Sequence, residues 1–256
     1  MEHLLRATAR AEKHHFWFHG FRSFVTPLIA QATAGRSDPL LLDAGCGTGA
    51  NVDLLQRFGS AFGFDLSETG IRLGREEGRT HLARATVTAA PFPSGAFDVV
   101  TSFDVLYSLQ DHDERTALGE MYRLLRPGGY AIINVAAMDM LRGDHSVLGR
   151  EVRRYNRELL RDHVNRAGFT VVRLTYAFAT LFAPLAVTRA WQRWRGLVRE
   201  NDVRAQHEIS VPPAPVNAFL TAALRLEAAW LRRFDVPFGS SLLCLARKPT
   251  VERTSR

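Results

Sequence analysis

The stretch Leu40–Asn51, LLLDAGCGTGAN, constrains the fold of this chain more than any other segment. Three apolar residues lead into Asp43, and Gly45, Gly47 and Gly49 follow at alternate positions. An apolar run that stops at an acid and a glycine cluster reads as a buried strand entering a turn. Glycine permits φ > 0 and lets backbone N–H groups approach a ligand closely. The next segment, about Ala50 to Phe58, reads as a helix whose N-terminus points at the same turn. Such a corner suits a nucleotide, and the neighbouring residues decide which kind.

Two readings compete. Gly45-Cys46-Gly47-Thr48-Gly49-Ala50 satisfies the dinucleotide fingerprint GxGxx(G/A), and Asp65 stands about 20 residues on, as that motif asks. Here, however, Asp43 sits at the mouth of the loop. A carboxylate beside a pyrophosphate is repelled, whereas one beside an ammonium and a sulfonium is attracted. The other segments agree with the second reading. Ala61–Ser67 (AFGFDLS) is a short strand ending in Asp65, whose carboxylate can accept two ribose hydroxyls. Phe97–Phe103 (FDVVTSF) is an apolar strand opened by an acid, and Leu124–Tyr130 (LLRPGGY) turns a helix into the strand Ala131–Val135.

With these motifs in place, the chain resembles the class I S-adenosylmethionine (SAM) dependent methyltransferases, more narrowly the bacterial small-molecule type with DxGCGTG, LPFPxxxFDxV and LRPGG motifs. The resemblance is strong over about residues 40–176. It extends more weakly to His15–Phe18 and to Pro237–Leu242. It implies a Rossmann-like α/β fold with a seven-stranded sheet, parallel except for a last strand inserted antiparallel beside strand five. It also implies SAM as cofactor and methyl transfer as the activity, and it does not specify the acceptor.

Alternating strands and helices support the same architecture. Strands are expected near 39–44, 60–65, 83–88, 97–103, 130–136, 170–176 and 240–247. Helices are expected near 49–58, 67–77, 112–126 and 156–167. Residues 1–35 read as a helical lid in two pieces broken near Gly20. Residues 36–177 form the core, 178–236 a helical insert, and 237–256 the final strand and tail. Pro212, Pro213 and Pro215 divide the insert into two helices.

Charge is unevenly spread. The 256 residues carry a net charge of +7. Between Arg142 and Glu200 there are 12 arginines against five acids, which points to an anionic partner: phosphate-bearing substrate, membrane surface or nucleic acid. Val187, Trp191, Trp194 and Val198 recur at helical spacing among Arg189, Arg193, Arg195 and Arg199. Such a helix can lie on an anionic membrane, so 178–200 is a candidate peripheral contact. Packing of that stripe against Phe219, Leu220, Leu224 and Leu231 is the favoured expectation. No apolar run approaches the roughly 20 residues of a spanning helix. The opening MEHLLRATARAEKHH carries no signal pattern. Cys46 and Cys244 give neither a disulfide framework nor metal spacing. The expected compartment is the cytoplasm, with the inner face of the membrane as a possible station.

By resemblance, Gly45, Gly47 and Gly49 shape the loop around the methionine part of SAM. Asp43 holds its ammonium and Asp65 its ribose, with Leu66 beside it. Thr86 stands where the family commonly has an aspartate for adenine, and a hydroxyl can still accept one hydrogen bond there. Phe103 can wall the pocket and face the sulfonium. His145, after strand five, is the first candidate for a general base, and Tyr107 the second. The family's Leu-Glu-His is replaced here by Leu106-Tyr107-Ser108. Trp17, in the lid, is a candidate substrate-binding residue, as is Tyr155. Arg153, Arg154 and Tyr155 match an RRY pattern, and the arginine pair can grip an anionic acceptor. The expected reaction is methylation of an oxygen or nitrogen on a small, anionic or lipid- or sugar-linked molecule. A nucleic-acid methyltransferase stands behind it, since no Asn/Asp-Pro-Pro-aromatic motif follows strand four. A non-catalytic SAM-fold protein recruited to a membrane is a third reading. Oligomeric state is left open.

Overall fold

The computed structural model describes residues 2–197 and 210–250. Its centre is a seven-stranded sheet in the order β3-β2-β1-β4-β5-β7-β6. The strands are β1 (Leu40–Ala44), β2 (Ser60–Asp65), β3 (Leu82–Arg84), β4 (Phe97–Phe103), β5 (Leu125–Ala136), β6 (Thr170–Ala177) and β7 (Ser241–Arg247). The pairs among β1 to β5 are parallel, and β7 runs antiparallel between β5 and β6. All seven residues of β4 are buried, as a central strand covered on both faces requires. Its early acid, Asp98, is a clip at the amino edge: it accepts from Leu40 N at 2.9 Å and pairs with Arg36 and Arg126.

Helices α3 (Ala50–Leu55), α4 (Glu68–Glu76), α5 (Asp111–Leu124) and α7 (Arg157–Arg166) occupy the crossovers. Ser67 caps α4 by accepting from Gly70 N, and Asn156 caps α7 by accepting from Leu159 N. One apolar cluster, around Leu42, Val100, Leu118 and Ile133, fills one face of the sheet. The other, around Leu41, Val99, Ile132 and Leu245, is closed by α2 (Phe16–Thr33).

Three local expectations are corrected. The N-terminal helices α1 (Glu2–Ala11) and α2 break at Glu12–His15, not at Gly20. Gly20 lies within α2, where a Cβ would overlap the Leu224 side chain of α9 (Ala214–Leu231). The glycine permits close approach of two helices rather than ending one. The third strand is only Leu82–Arg84, because Thr86–Ala89 closes into a turn. Finally, Val187, Trp191 and Trp194 of α8 (Phe182–Trp194) do not pack on α9; all three are exposed, and so is Phe219. Leu224 and Leu231 are buried instead in the α2-side core. Val198 and Arg199 lie outside the described residues.

Candidate cofactor and acceptor site

The carboxyl ends of β1, β2, β4 and β5 converge on the glycine loop. Gly45 N and Cys46 N both donate to Phe64 O, at 2.8 and 2.9 Å, tying the loop to the end of β2. Gly45 has φ +85, and a Cβ there would overlap the Val105 side chain. The loop after β4 is therefore seated directly against the loop after β1. Asp65 holds both sides of the crevice: Oδ2 accepts from Gly47 N and Oδ1 from Ser67 N, each at 2.8 Å. A carboxylate has about four acceptor sites, so acceptor capacity remains. Leu66 follows it, exposed, and Thr86 lies in the adjoining turn, bonded to Thr88.

Asp43 is buried at the end of β1. Its Oδ1 accepts from Thr101 Oγ1 at 2.6 Å, while its Oδ2 has no partner among the described residues. Burial pushes its pKa up to about 7, with the charge of Asp65 adding and the Thr101 bond opposing. An orphaned buried carboxylate oxygen beside a glycine loop lacks a cationic or hydrogen-bonding partner. Against the loop lies a cavity of about 100 Å³, lined by Gly45–Thr48 together with Leu5, Glu12, Phe18 and Arg22. The N-terminal segment closes it. Glu12 is buried and accepts from Thr48 Oγ1 at 2.6 Å and from Arg79 Nη1 at 3.2 Å. Arg22 Nε is buried and unpartnered.

Asp104 has no place among the sequence-derived candidates, yet its setting is distinctive. It has φ +61, a conformation that costs an L-residue roughly 1–2 kcal/mol. Its N–H donates to Asn134 O at 3.0 Å, and its Oδ1 accepts from Asn134 Nδ2 at 2.8 Å. Asn134 is buried on β5, and its Oδ1 has no partner among the described residues. Asp104 itself is exposed to solvent. Crowding by protein and the charge of Glu151 push its pKa up to about 7, against the Asn134 bond and Arg154. Met138, Arg150 and Phe178 also have positive φ, and all lie in the loops after β5 and β6. Four of the five non-glycine residues with positive φ among the described residues thus lie at this edge of the sheet, and the fifth, Asp38, precedes β1. Positive φ is not written in residue identity outside glycine, so sequence alone does not reveal it.

The remaining candidates divide. Tyr107 is buried in a short 3-10 turn, and burial raises its phenol pKa well above the ordinary value. His145 is half-buried on the five-residue helix α6 (Asp144–Leu148), on the loop after β5. Phe103 is buried, its ring edge-on to Phe21 at 5.0 Å in the α2-side core. Trp17 stacks on Phe178 at 4.0 Å. The RRY segment is occupied by the fold itself. Arg153 pairs with Asp111 and Glu114. Arg154 grips both oxygens of Glu151, at 2.8 and 3.0 Å, and reaches Ala137 O at 3.0 Å. Tyr155 is buried and donates to Glu114 Oε1 at 2.6 Å. These three residues fasten the loop after β5 to the body.

Residues 42–133 match the family described as Methyltransferase domain. Residues 42–133 thus form a methyltransferase domain of the class I, SAM-dependent type. Among relatives of this methyltransferase chain, the ubiquinone/menaquinone biosynthesis C-methyltransferase UbiE of Escherichia coli K12 is 32% identical over 112 residues. That match covers 38% of this chain and 43% of the relative, so the chain spans less than half the length of the curated relatives it matches. Two solved structures share the fold. A Haloferax volcanii methyltransferase in complex with the Trm112 activator has TM-score 0.58 and 18% identity, covering 95% of this chain and 94% of that one. A Galdieria sulphuraria protein described as a sarcosine dimethylglycine methyltransferase has TM-score 0.58 and 15% identity, covering 90% and 85%.

The cofactor of this methyltransferase family is SAM, and the residues present fit it. The orphaned Asp43 oxygen matches its ammonium, and the unpartnered Arg22 Nε matches its carboxylate. The spare acceptor capacity of Asp65 matches its ribose.

Proposed function

We propose that this chain transfers a methyl group from SAM to an oxygen or nitrogen of a small-molecule acceptor, and that Asp104 takes the proton the acceptor loses. The observation that carries this reading is Asp104, strained, solvent-exposed and doubly held by Asn134, directly after β4, the strand paired with the β1 strand that carries Asp43 and its unpartnered oxygen. Asp43, Asp65, the three loop glycines and Arg22 would hold the cofactor, with Leu66 and Thr86 beside its base. Bound SAM supplies a methyl on a sulfonium, a leaving group that needs no acid. What the protein must add is alignment, exclusion of water and a place for the proton. Alignment alone can supply on the order of 7–11 kcal/mol, and a positioned base about 10²–10⁴-fold in rate.

Asp104 suits the last task because a base with a pKa near 7 is about half ionised at neutral pH and still basic enough to take a proton. Tyr107 suits it less, since burial opposes the phenolate. His145 is the alternative base on the neighbouring loop. The RRY arginines do not support an anionic acceptor, because their guanidinium groups are engaged within the fold. Residues 1–35 act as the lid that Glu12 latches to the loop through Thr48. A second reading, carbon methylation of a lipid-like ring, is favoured by the likeness to UbiE.

Calorimetric titration with S-adenosylhomocysteine, with NAD as control, tests the cofactor. Micromolar binding of the former alone is expected, and binding of neither would leave the non-catalytic reading in front. Release of S-adenosylhomocysteine on addition of phenols, amines and isoprenoid quinols then sorts the acceptor classes.

A further inference from the structure

Two helices of the insert expose apolar stripes to solvent. On α8, Val187, Trp191 and Trp194 lie one turn apart, and Trp194 is 85% exposed. On α9, Phe219, Leu226 and Trp230 recur at i, i+7 and i+11, on the face turned away from the buried Leu224, Ala228 and Leu231. Phe219 is 72% and Leu226 73% exposed. A large apolar area left in water by a folded domain marks an interaction surface.

The charge carried by these two helices is almost all of one sign. Residues 182–195 and 214–234 contain six arginines and a single acid, Glu227. Glu227 is buried, accepting from the backbone N–H groups of Ala179 and Thr180 at 2.8 and 2.9 Å. The solvent face of both helices is therefore aromatic, aliphatic and cationic, with no exposed carboxylate. Arg225, Arg232 and Arg233 flank the α9 stripe and are exposed. On α8, the Arg195 guanidinium lies over the Trp191 ring at 4.6 Å, and Arg193 rests on the carbonyls of Met140 and Arg142 at 2.7 Å. A second copy of this surface would meet like charge, which disfavours self-association through it. No described helix is long and apolar enough to cross a membrane.

We propose that the α8–α9 insert docks on an anionic phospholipid bilayer, tryptophans at the headgroup level and arginines against the phosphates. Tryptophan suits that depth because its ring is apolar and its N–H is polar. Arginine adds attraction to an anionic leaflet that falls away within a Debye length. The helices lie in the plane of the surface rather than through it. Because α8 is held to the loop after β5 by Arg193 and by the Arg195–Asp144 pair, docking sets the bilayer beside the acceptor edge of the sheet.

Flotation of the full chain with phosphatidylcholine vesicles, and with equal parts phosphatidylcholine and phosphatidylglycerol, tests this. Binding to the mixed vesicles alone is expected, with loss on raising NaCl from about 50 to about 500 mM. Trp194→Ser/Phe219→Ser/Trp230→Ser should weaken it by about tenfold or more, and so should Arg232→Glu/Arg233→Glu. Unchanged S-adenosylhomocysteine affinity shows that each variant is folded, and the charge-reversed pair answers the question if the triple variant is not. Failure to bind the mixed vesicles, or equal binding to both kinds, overturns the proposal. So does a dimer in light scattering that the same substitutions dissolve, which would name a second copy as occupant.

Discussion

Asn134 holds Asp104 by two routes. Its backbone oxygen accepts from Asp104 N at 3.0 Å, and its side-chain amide donates to the Asp104 carboxylate at 2.8 Å. The first bond fixes where the backbone turns with φ +61, and the second fixes where the carboxylate points. Asn134 can do both because β5 lies next to β4 in register, Phe103 opposite Asn134.

If Asp104 is the base, Asp104→Asn lowers kcat by about 10²–10⁴-fold and leaves S-adenosylhomocysteine affinity unchanged in calorimetry. The wild-type rate rises with pH through about 7, where Asp104 ionises. Asn134→Ala removes the bond that lowers this pKa, so its rate profile moves to higher pH. A full loss of activity in His145→Ala with Asp104→Asn still active would transfer the role to His145.

Asp43 carries an opposite trade between binding and stability. As a buried acid with pKa raised to about 7, it binds more protons folded than unfolded between about pH 4 and 7. Ligand-free stability therefore falls as pH rises through that window. Asp43→Asn keeps the neutral form, so above pH 7 it melts higher than the parent, by on the order of 5 °C in scanning calorimetry. The same variant loses S-adenosylhomocysteine binding. A lower melting point at pH 8 would contradict this account.

Arg22 is expected to contact the cofactor from the lid. Arg22→Ala weakens S-adenosylhomocysteine binding by about tenfold, a loss of about 1.4 kcal/mol, while Asp65→Ala abolishes it. Adenosine, which lacks the carboxylate, should bind the Arg22 variant and the parent alike.

Arg154→Ala is a stability variant. It leaves the buried Glu151 carboxylate without its partner, a cost of about 3–5 kcal/mol, read as a fall in the urea midpoint. KM for the acceptor should stay as it is in any variant that remains folded.

Gly20→Ala pushes a methyl group into Leu224 and should cost about 1–3 kcal/mol. Leu224→Ala in the same chain makes room, so the pair is less destabilised than the sum of the two single changes.

The strand–loop–helix at Leu40–Asn51 was legible because its information is local: an apolar run, an acid, and glycines that allow positive φ. The alternation of strands and helices placed five of the seven strands nearly in full for the same reason. Gly20 misled because a glycine that ends a helix and a glycine that admits a neighbouring helix look alike in sequence. Arg153 and Arg154 looked free to grip an anion because their partners, Asp111, Glu114 and Glu151, are decided by how α5 and the loop after β5 meet.

Residue order by itself thus determined the sheet, the glycine loop and the acids that face it, since these follow from periodicity and backbone chemistry over a dozen residues. Tertiary structure alone decided which polar atoms were left without partners. Asp43 Oδ2, Asn134 Oδ1 and Arg22 Nε are orphaned only once strands and helices distant in sequence have packed around them. The same packing turned Trp194 and Phe219 outward, since the α2-side core took Leu224 and Leu231 of α9 instead.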